Sequence, residues 1–280
     1  MPKGISLHIG LNSVDPKCYG GWAGTLAACE FDANDMQRIA KQKSFTSKVL
    51  LTKKATRAAV TTAIKEAAKK LRTGDIFFLT YSGHGGQVPD TNGDQEEDGK
   101  DETWVLYDSE LVDDELYALW GEFEAGVRVL VLSDSCHSGT VAREVARLAD
   151  AGALAELLPK SKSPPRPKAM PVKVQDLVNR KYKKRHDKIQ KEFPAGERVA
   201  IGASVLLISG CQDNQTSMDG DRNGAFTGAL LEVWNKGAFK KGYRALHKEI
   251  QRKLPFTQSP NYFRTGSTNV AFERQSPFTV

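Results

Sequence analysis

The chain of 280 residues is long enough for one large α/β domain or two small ones, and with 40% apolar and 26% charged residues it can bury a core and is not disordered as a whole. No apolar run approaches the ~18 residues of a membrane helix, the opening MPKGISLHIGLN lacks a leader's apolar core, and four cysteines without paired spacing make neither a disulfide framework nor a zinc knuckle. A reducing, cytoplasmic setting is expected, and the net charge of +6 is local, since thirteen Lys/Arg face four Asp/Glu between Pro159 and Arg198.

Ile5–Leu11 is a short apolar run that reads as a strand. Ala33, Met36, Ile39 and Ala40 recur at helical spacing, and Lys48–Thr52 reads as a second strand. Val60, Ile64, Ala67 and Leu71 mark one face of an amphipathic helix that stops at Gly74. Asp75–Thr80 and Val127–Ser133 are apolar on both faces, as in a parallel sheet covered on two sides, and Asp113–Phe123 between them reads as helix. After Gly139 a helical stretch runs to about Leu158. From Pro159 to Arg198 the chain is basic and poorly patterned, with prolines at 164, 165 and 167, and reads as an exposed, partly disordered insertion. Ser204–Ser209 is a further buried strand; Phe226, Leu230, Val233 and Trp234 mark a helix, and Tyr243–Leu254 another. Pro255 onward is extended, with a last strand expected at Thr268–Phe272. The pattern is that of one α/β domain interrupted by a loop.

Two strands end in unusual turns. One runs into Tyr81-Ser82-Gly83-His84-Gly85-Gly86, the other into Asp134-Ser135-Cys136-His137-Ser138-Gly139. In open α/β sheets, functional groups gather at the carboxyl ends of strands. Parallel neighbours lie ~4.8 Å apart, so paired strands would bring His84 within reach of Cys136. A thiolate attacks a carbonyl, an imidazole takes the thiol proton and passes it to the leaving amine, and backbone amides hold the oxyanion. Cys136 and His84 fit the first two roles, and the amides of Gly85 and Cys136 the third. Alone, each residue is more often a small buried thiol or a satisfied loop histidine; the combination in glycine turns carries the chemistry. His137 is a poor rival base, because adjacent side chains diverge.

These motifs, Ser82-Gly83-His84-Gly85 and Asp134-Ser135-Cys136-His137-Ser138-Gly139, place the histidine 52 residues before the cysteine. They resemble the paired catalytic motifs of the caspase-like cysteine peptidases, specifically metacaspases and their bacterial relatives, the orthocaspases. Asp-Ser-Cys stands where animal caspases carry Gln-Ala-Cys, which points to the metacaspase side. The likeness covers most of residues 5–139 and resumes at Ser204–Trp234. It implies a caspase-like α/β fold, a mostly parallel six-stranded sheet flanked by helices. A large catalytic part (1–158) and a small part (199–280) would be joined by a basic processing linker (159–198). It implies a cysteine endopeptidase, made as a zymogen, that cleaves after Arg or Lys, with His84 and Cys136 catalytic. By the same resemblance Asp134 and Asp32 hold the basic side chain, a carboxylate being the partner a cation needs, and Cys29 and Ser82 line the same pocket. Taken alone, Asp32 also reads as a first-turn acid favouring its helix dipole, and Asp134 as an ordinary turn acid.

Asp90–Glu102 holds seven acids and one lysine. The resemblance implies a calcium site on Asp101, Asp113 and Asp114, hard oxygen ligands of the kind Ca²⁺ takes. A fourth family acid falls on Arg143, with Glu144 beside it. Asp90–Asp94 begins like an EF-hand loop but has Gln95 at the glycine position, and a solvated acidic loop is the alternative. The basic insertion reads as a linker to be cut, most readily within Arg180–Arg185. The rival there is a phosphate-binding patch, with only Tyr182 interleaved and no recognition motif. Cys18 and Cys211 read as structural, and Gln212–Gln215 as part of the substrate rim. The implied partners are protein or peptide substrates with a basic residue before the cut and a regulatory partner or sensing domain, with neither membrane nor nucleic acid. The alternative to a peptidase is a caspase-fold interaction or signalling module of little turnover.

Overall fold

The computed structural model of the chain describes residues 1–91, 99–136, 166–193, 199–211, 217–255 and 258–280. In chain order it runs through β1 (Gly4–Gly10), α1 (Cys29–Gln42), β2 (Thr46–Leu51), α2 (Arg57–Lys70) and β3 (Ile76–Ser82). Three short strands follow, β4 (Gly85–Pro89), β5 (Lys100–Val105) and β6 (Glu110–Val112), then α3 (Asp113–Gly121) and β7 (Arg128–Asp134). The rest comprises β8 (Arg166–Pro167), α4 (Val172–Glu192), β9 (Ser204–Ser209), β10 (Met218–Asp219), α5 (Ala225–Trp234), α6 (Tyr243–Lys253), β11 (Asn261–Gly266) and α7 (Val270–Arg274).

The central sheet has the order β11-β9-β7-β3-β1-β2. Every pairing is parallel except β9 with β11. This is the mostly parallel six-stranded sheet the resemblance implies, and the reason its strands read as unbroken apolar runs is visible in β3, which is buried at all seven positions. Because side chains alternate across a strand, Phe77, Leu79, Val129 and Val131 enter one core with α2 and α3. Ile76, Phe78, Leu130 and Leu132 enter the other, with α1, α5 and α6.

Three stretches differ from the sequence expectation. β4, β5 and β6 form a small antiparallel sheet, so the acidic stretch begins just after β4 and ends inside β5; residues 92–98 are outside the described residues. At the C-terminus the strand is Asn261–Gly266, and residues 270–274 are helical. Gly266, at φ +73°, turns the chain out of the strand, and the Asn269 side chain caps the helix by accepting from Phe272 N.

The largest difference is in the basic segment, expected to be exposed and partly disordered. Its described part, 166–193, holds a strand and the 21-residue α4. Val174, Val178, Tyr182, His186 and Ile189 recur every three or four residues along α4, and Val178 and Ile189 are buried. Side-chain amides fasten the helix to the small sheet: Gln175 donates to Glu110 (3.1 Å), Asn179 to Gln87 O (3.2 Å) and Gln190 to Pro89 O (2.9 Å). The solvent side carries most of the lysines and arginines, which hide a narrow apolar stripe in any reading of composition. The expected helix between Gly139 and Leu158, His137, Arg143, Glu144 and Gln212–Gln215 lie outside the described residues.

Candidate active site

β3 delivers His84. The Tyr81 hydroxyl at the end of the strand reaches the carbonyls of His84 (2.6 Å) and Val105 (3.1 Å), and its ring stacks on Trp104 at 4.5 Å. These contacts fix the turn that carries the imidazole. His84 Nε2 lies 3.1 Å from Gly24 O, and its ring is 4.7 Å from that of Trp22. A carbonyl only accepts, so Nε2 carries the proton and Nδ1 keeps the lone pair. Nδ1 is buried. Burial pushes the imidazole down to about 4, so it is neutral at ordinary pH. Gly24 sits at φ +53°, and a Cβ there would stand 3.2 Å from His84 Cδ2. Gly24 and Trp22 therefore position His84, and sequence reasoning missed both; the glycines around Trp22 were the available signal.

β7 delivers Cys136. It pairs with β3 in a register that sets Ser82 opposite Asp134, so the two turns leave the sheet side by side. Cys136 is fully buried, with its thiol donating to Ser217 O at 3.3 Å. Burial raises the thiol well above its usual value, and Cys211 beside it adds to the effect. As placed, the Cys136 thiol is protonated and the His84 imidazole is neutral. Cys211, expected to be structural, packs against Cys136 and Ala169, and its sulfur donates to Ser135 O.

The other four residues named for substrate binding also gather at the strand ends. Asp32 arrives from the first turn of α1 and Asp134 from the end of β7, and the Lys168 ammonium lies between them. Lys168 Nζ is 3.2 Å from Asp32 Oδ2, 3.1 Å from Asp134 Oδ2 and 2.9 Å from Ser82 Oγ. All three charges are buried, where an ion pair persists only if its remaining polar atoms are satisfied. Asp32 accepts from Ser82 Oγ, Asn223 Nδ2 and Gly224 N, and Asp134 from Ser217 Oγ and from Thr227 N and Oγ1. Burial lifts Asp32 to about 6 against the pull of Lys168. The ammonium is depressed by burial, but Asp134, Cys29, Asp32 and Asp219 together hold it well above the usual lysine value. Cys29 is buried beside Ser82, and its thiol is pushed far up by burial. Gly224 closes the pocket: a Cβ there would fall 2.2 Å from Lys168 Nζ and 2.3 Å from Asp134 Oδ2, so a larger residue would displace the ammonium or the carboxylate.

The backbone around Lys168 is as closely held as its side chain. The Lys168 carbonyl oxygen accepts from Gly85 N at 2.9 Å and from Cys136 N at 3.1 Å, the two amides the sequence nominates for an oxyanion. Lys168 N donates to Ser217 O at 3.0 Å, and β8 just before it pairs antiparallel with β10. Met170 N donates to Gly85 O at 2.7 Å. Residues 166–170 thus run extended through the cleft. Arg180–Arg185, expected to be the readiest place for a cut, lie inside α4, where a closed helical backbone cannot adopt that shape.

The three residues named for calcium lie near one another, at the start of α3 and in β5. Burial raises Asp113 well above the carboxylate range, and Glu102, Asp101 and Asp114 add to it, a repulsion that a cation would relieve. Asp101 Oδ2 accepts from Gln190 Nε2 at 2.5 Å, and no group of three or more His, Cys, Asp or Glu side chains converges on a metal position among the described residues.

Comparison with known proteins bears on the family and the fold. The family model described as the caspase domain matches residues 4–272. Metacaspase-1 of Cryptococcus neoformans is 32% identical over 255 residues, covering 81% of this chain and 54% of its own. Metacaspase-1A of Aspergillus clavatus is 30% identical over 294 residues, covering 92% and 65%. The chain spans about half to two thirds of the length of these curated relatives. A crystal structure of a Geobacter sulfurreducens protein is 54% identical, with a TM-score of 0.86 and coverage of 100% of this chain and 99% of that one. Caspase-1 of Spodoptera frugiperda, at 11% identity, has a TM-score of 0.56 over 99% of this chain and 90% of its own, a likeness of fold alone.

Proposed function

The chain belongs to the caspase-domain family, on its metacaspase side, and from that premise we propose that it is a cysteine endopeptidase cleaving after lysine or arginine, with Cys136 as nucleophile and His84 as base. We propose further that it is made as a zymogen whose own linker occupies the cleft. One observation carries both: the Lys168 ammonium lies between Asp32 and Asp134 while its carbonyl oxygen sits on the amides of Gly85 and Cys136. A bound substrate needs both contacts at once, charge recognition at the side chain and polarisation at the carbonyl.

The chemistry follows from these positions. His84 Nδ1 takes the Cys136 proton, and the sulfur leaves Ser217 to attack the Lys168 carbonyl carbon. The oxygen gains charge against the Gly85 and Cys136 amides. His84 returns the proton to the nitrogen of Ala169, which departs with the C-terminal side of the chain, and water then releases the acyl group from Cys136. The raised thiol and lowered imidazole describe a resting pair, held out of water by the docked segment. Proton transfer requires that burial to relax.

Intact mass measurement tests the reading. Wild-type protein is expected to be cut after Lys168 and to hydrolyse peptides with Lys or Arg before the scissile bond, not those with Asp or Asn; Cys136→Ala is expected to remain whole. Wild type that stays whole and hydrolyses none of the peptides would leave the interaction module as the reading.

A further inference from the structure

The linker stays in the cleft beyond the bond expected to be cut. Ala169 is 4% exposed, packs against Cys136 and Cys211, and is bridged in parallel to Gly85. Met170 is 1% exposed and lies in a cluster with Val14, Tyr19, Val105 and Val178. Val14 and Tyr19 come from the segment between β1 and α1, and Val105 from the end of β5, so three walls belong to the framework; Val178, on α4, belongs to the linker itself. The Tyr19 hydroxyl donates to Leu106 O at 2.7 Å, which leaves the phenol ring as its contribution to the cluster. Pro171 follows at once and starts α4, so the extended stretch ends with Met170.

We propose that Val14, Tyr19 and Val105 form an apolar subsite for the second residue after the scissile bond, and that Cys211 and Cys136 restrict the first to a small side chain. The substrate class is then a peptide reading basic–small–apolar across the cut. This deepens the peptidase reading and rests on it. The backbone contacts at Gly85 register any peptide, because they involve no side chain of the substrate; selection therefore falls to the two pockets. A fully buried methionine is stabilised enough to change kcat/KM by about ten- to a hundredfold. A peptide supplied from outside has to displace the chain's own Ala169 and Met170, which α4 keeps tethered beside the cleft, and that places it toward the lower end. A charged residue at this position would be buried with no partner in the cluster.

The test uses the self-processed wild-type enzyme and quenched fluorescent peptides built on Arg-Pro-Lys-Ala-Met-Pro, the chain's own residues 166–171. The methionine is exchanged for Leu, Glu or Lys, and separately the alanine for Gly, Leu or Trp. Met and Leu peptides are expected to exceed the Glu peptide at least about tenfold in kcat/KM, and Ala and Gly to exceed Leu and Trp. Val14→Asp should invert the order of Met and Lys at the second position, a ratio read within one variant; the wild-type series stands even if that variant does not fold. Equal rates across the series would overturn the subsites while leaving the peptidase reading intact. Failure to cut any peptide with lysine before the bond would remove that reading and these subsites with it.

Discussion

Lys168→Ala separates the zymogen reasoning from the peptidase assignment. The side chain removed is fully buried, with two carboxylates and a hydroxyl on its ammonium. Taking one partner from a buried ion pair costs about 3–5 kcal/mol, because the remaining charges stay desolvated. Here the repulsion between Asp32 and Asp134 adds to that cost. The chain has an easier response than global unfolding, since residues 166–170, held by a few backbone bonds and by the burial of Ala169 and Met170, can leave the cleft and return both carboxylates to water. The cost then appears as a shift in docking of about 100-fold or more, at ~1.4 kcal/mol per decade. Progress curves on a small fluorogenic arginine amide provide the assay. Wild type should show a lag that ends as the chain cut after Lys168 appears. Lys168→Ala should show no lag and remain uncut at that bond, with its melting temperature reduced far less than 3–5 kcal/mol would demand. Lys168→Arg should still process, because a guanidinium also spans two carboxylates. Wild type that is fully active from the first second with the 168–169 bond whole would refute the reasoning, as would a Lys168→Ala form with no activity at any time.

Cys136→Ala is expected to abolish turnover with the melting temperature preserved, and His84→Ala to lose nearly as much, because the two act as a unit; appreciable turnover by Cys136→Ala would remove the assignment. Asp134→Asn keeps the shape of the group that Ser217 and Thr227 contact but loses the charge, and should lower kcat/KM on Lys and Arg peptides by about 100-fold, which a panel of residues before the cut would measure. Glu110→Gln tests pH dependence. Burial raises Glu110 to about 7 among Thr103, Gln175, Arg185 and His186, the last itself lowered to about 4 by burial and so neutral. A folded value above the unfolded 4.5 means that wild-type stability is full below 4.5 and falls as pH rises through 7. Glutamine escapes that loss, so the variant should gain relative to wild type between pH 5 and pH 8, by at most ~3 kcal/mol, in urea titrations; parallel stability at both pH values would contradict it.

How much was legible in the sequence depends on whether the signal is local. The strands of the sheet announce themselves because burial on both faces requires unbroken apolar runs, as at Ile76–Thr80 and Ser204–Ser209. The turns that carry His84 and Cys136 were legible because their glycines and polar neighbours lie within a few residues of each. The stripe on α4 was present as well, but eight lysines and arginines on the same helix obscured it. What chain order cannot express is which distant residue meets which. Lys168 and Asp32 are 136 positions apart, and nothing near either names the other. Gly24 looks like any turn glycine until His84 is placed against it, and Gly224 like any helix start until Lys168 and Asp134 fill the space a Cβ would need. The sequence alone determined a sheet with a thiol and an imidazole at its carboxyl edge. Only the tertiary structure decided that the chain's own lysine fills the pocket between Asp32 and Asp134, because a buried charge persists only where folding has brought its partners to it.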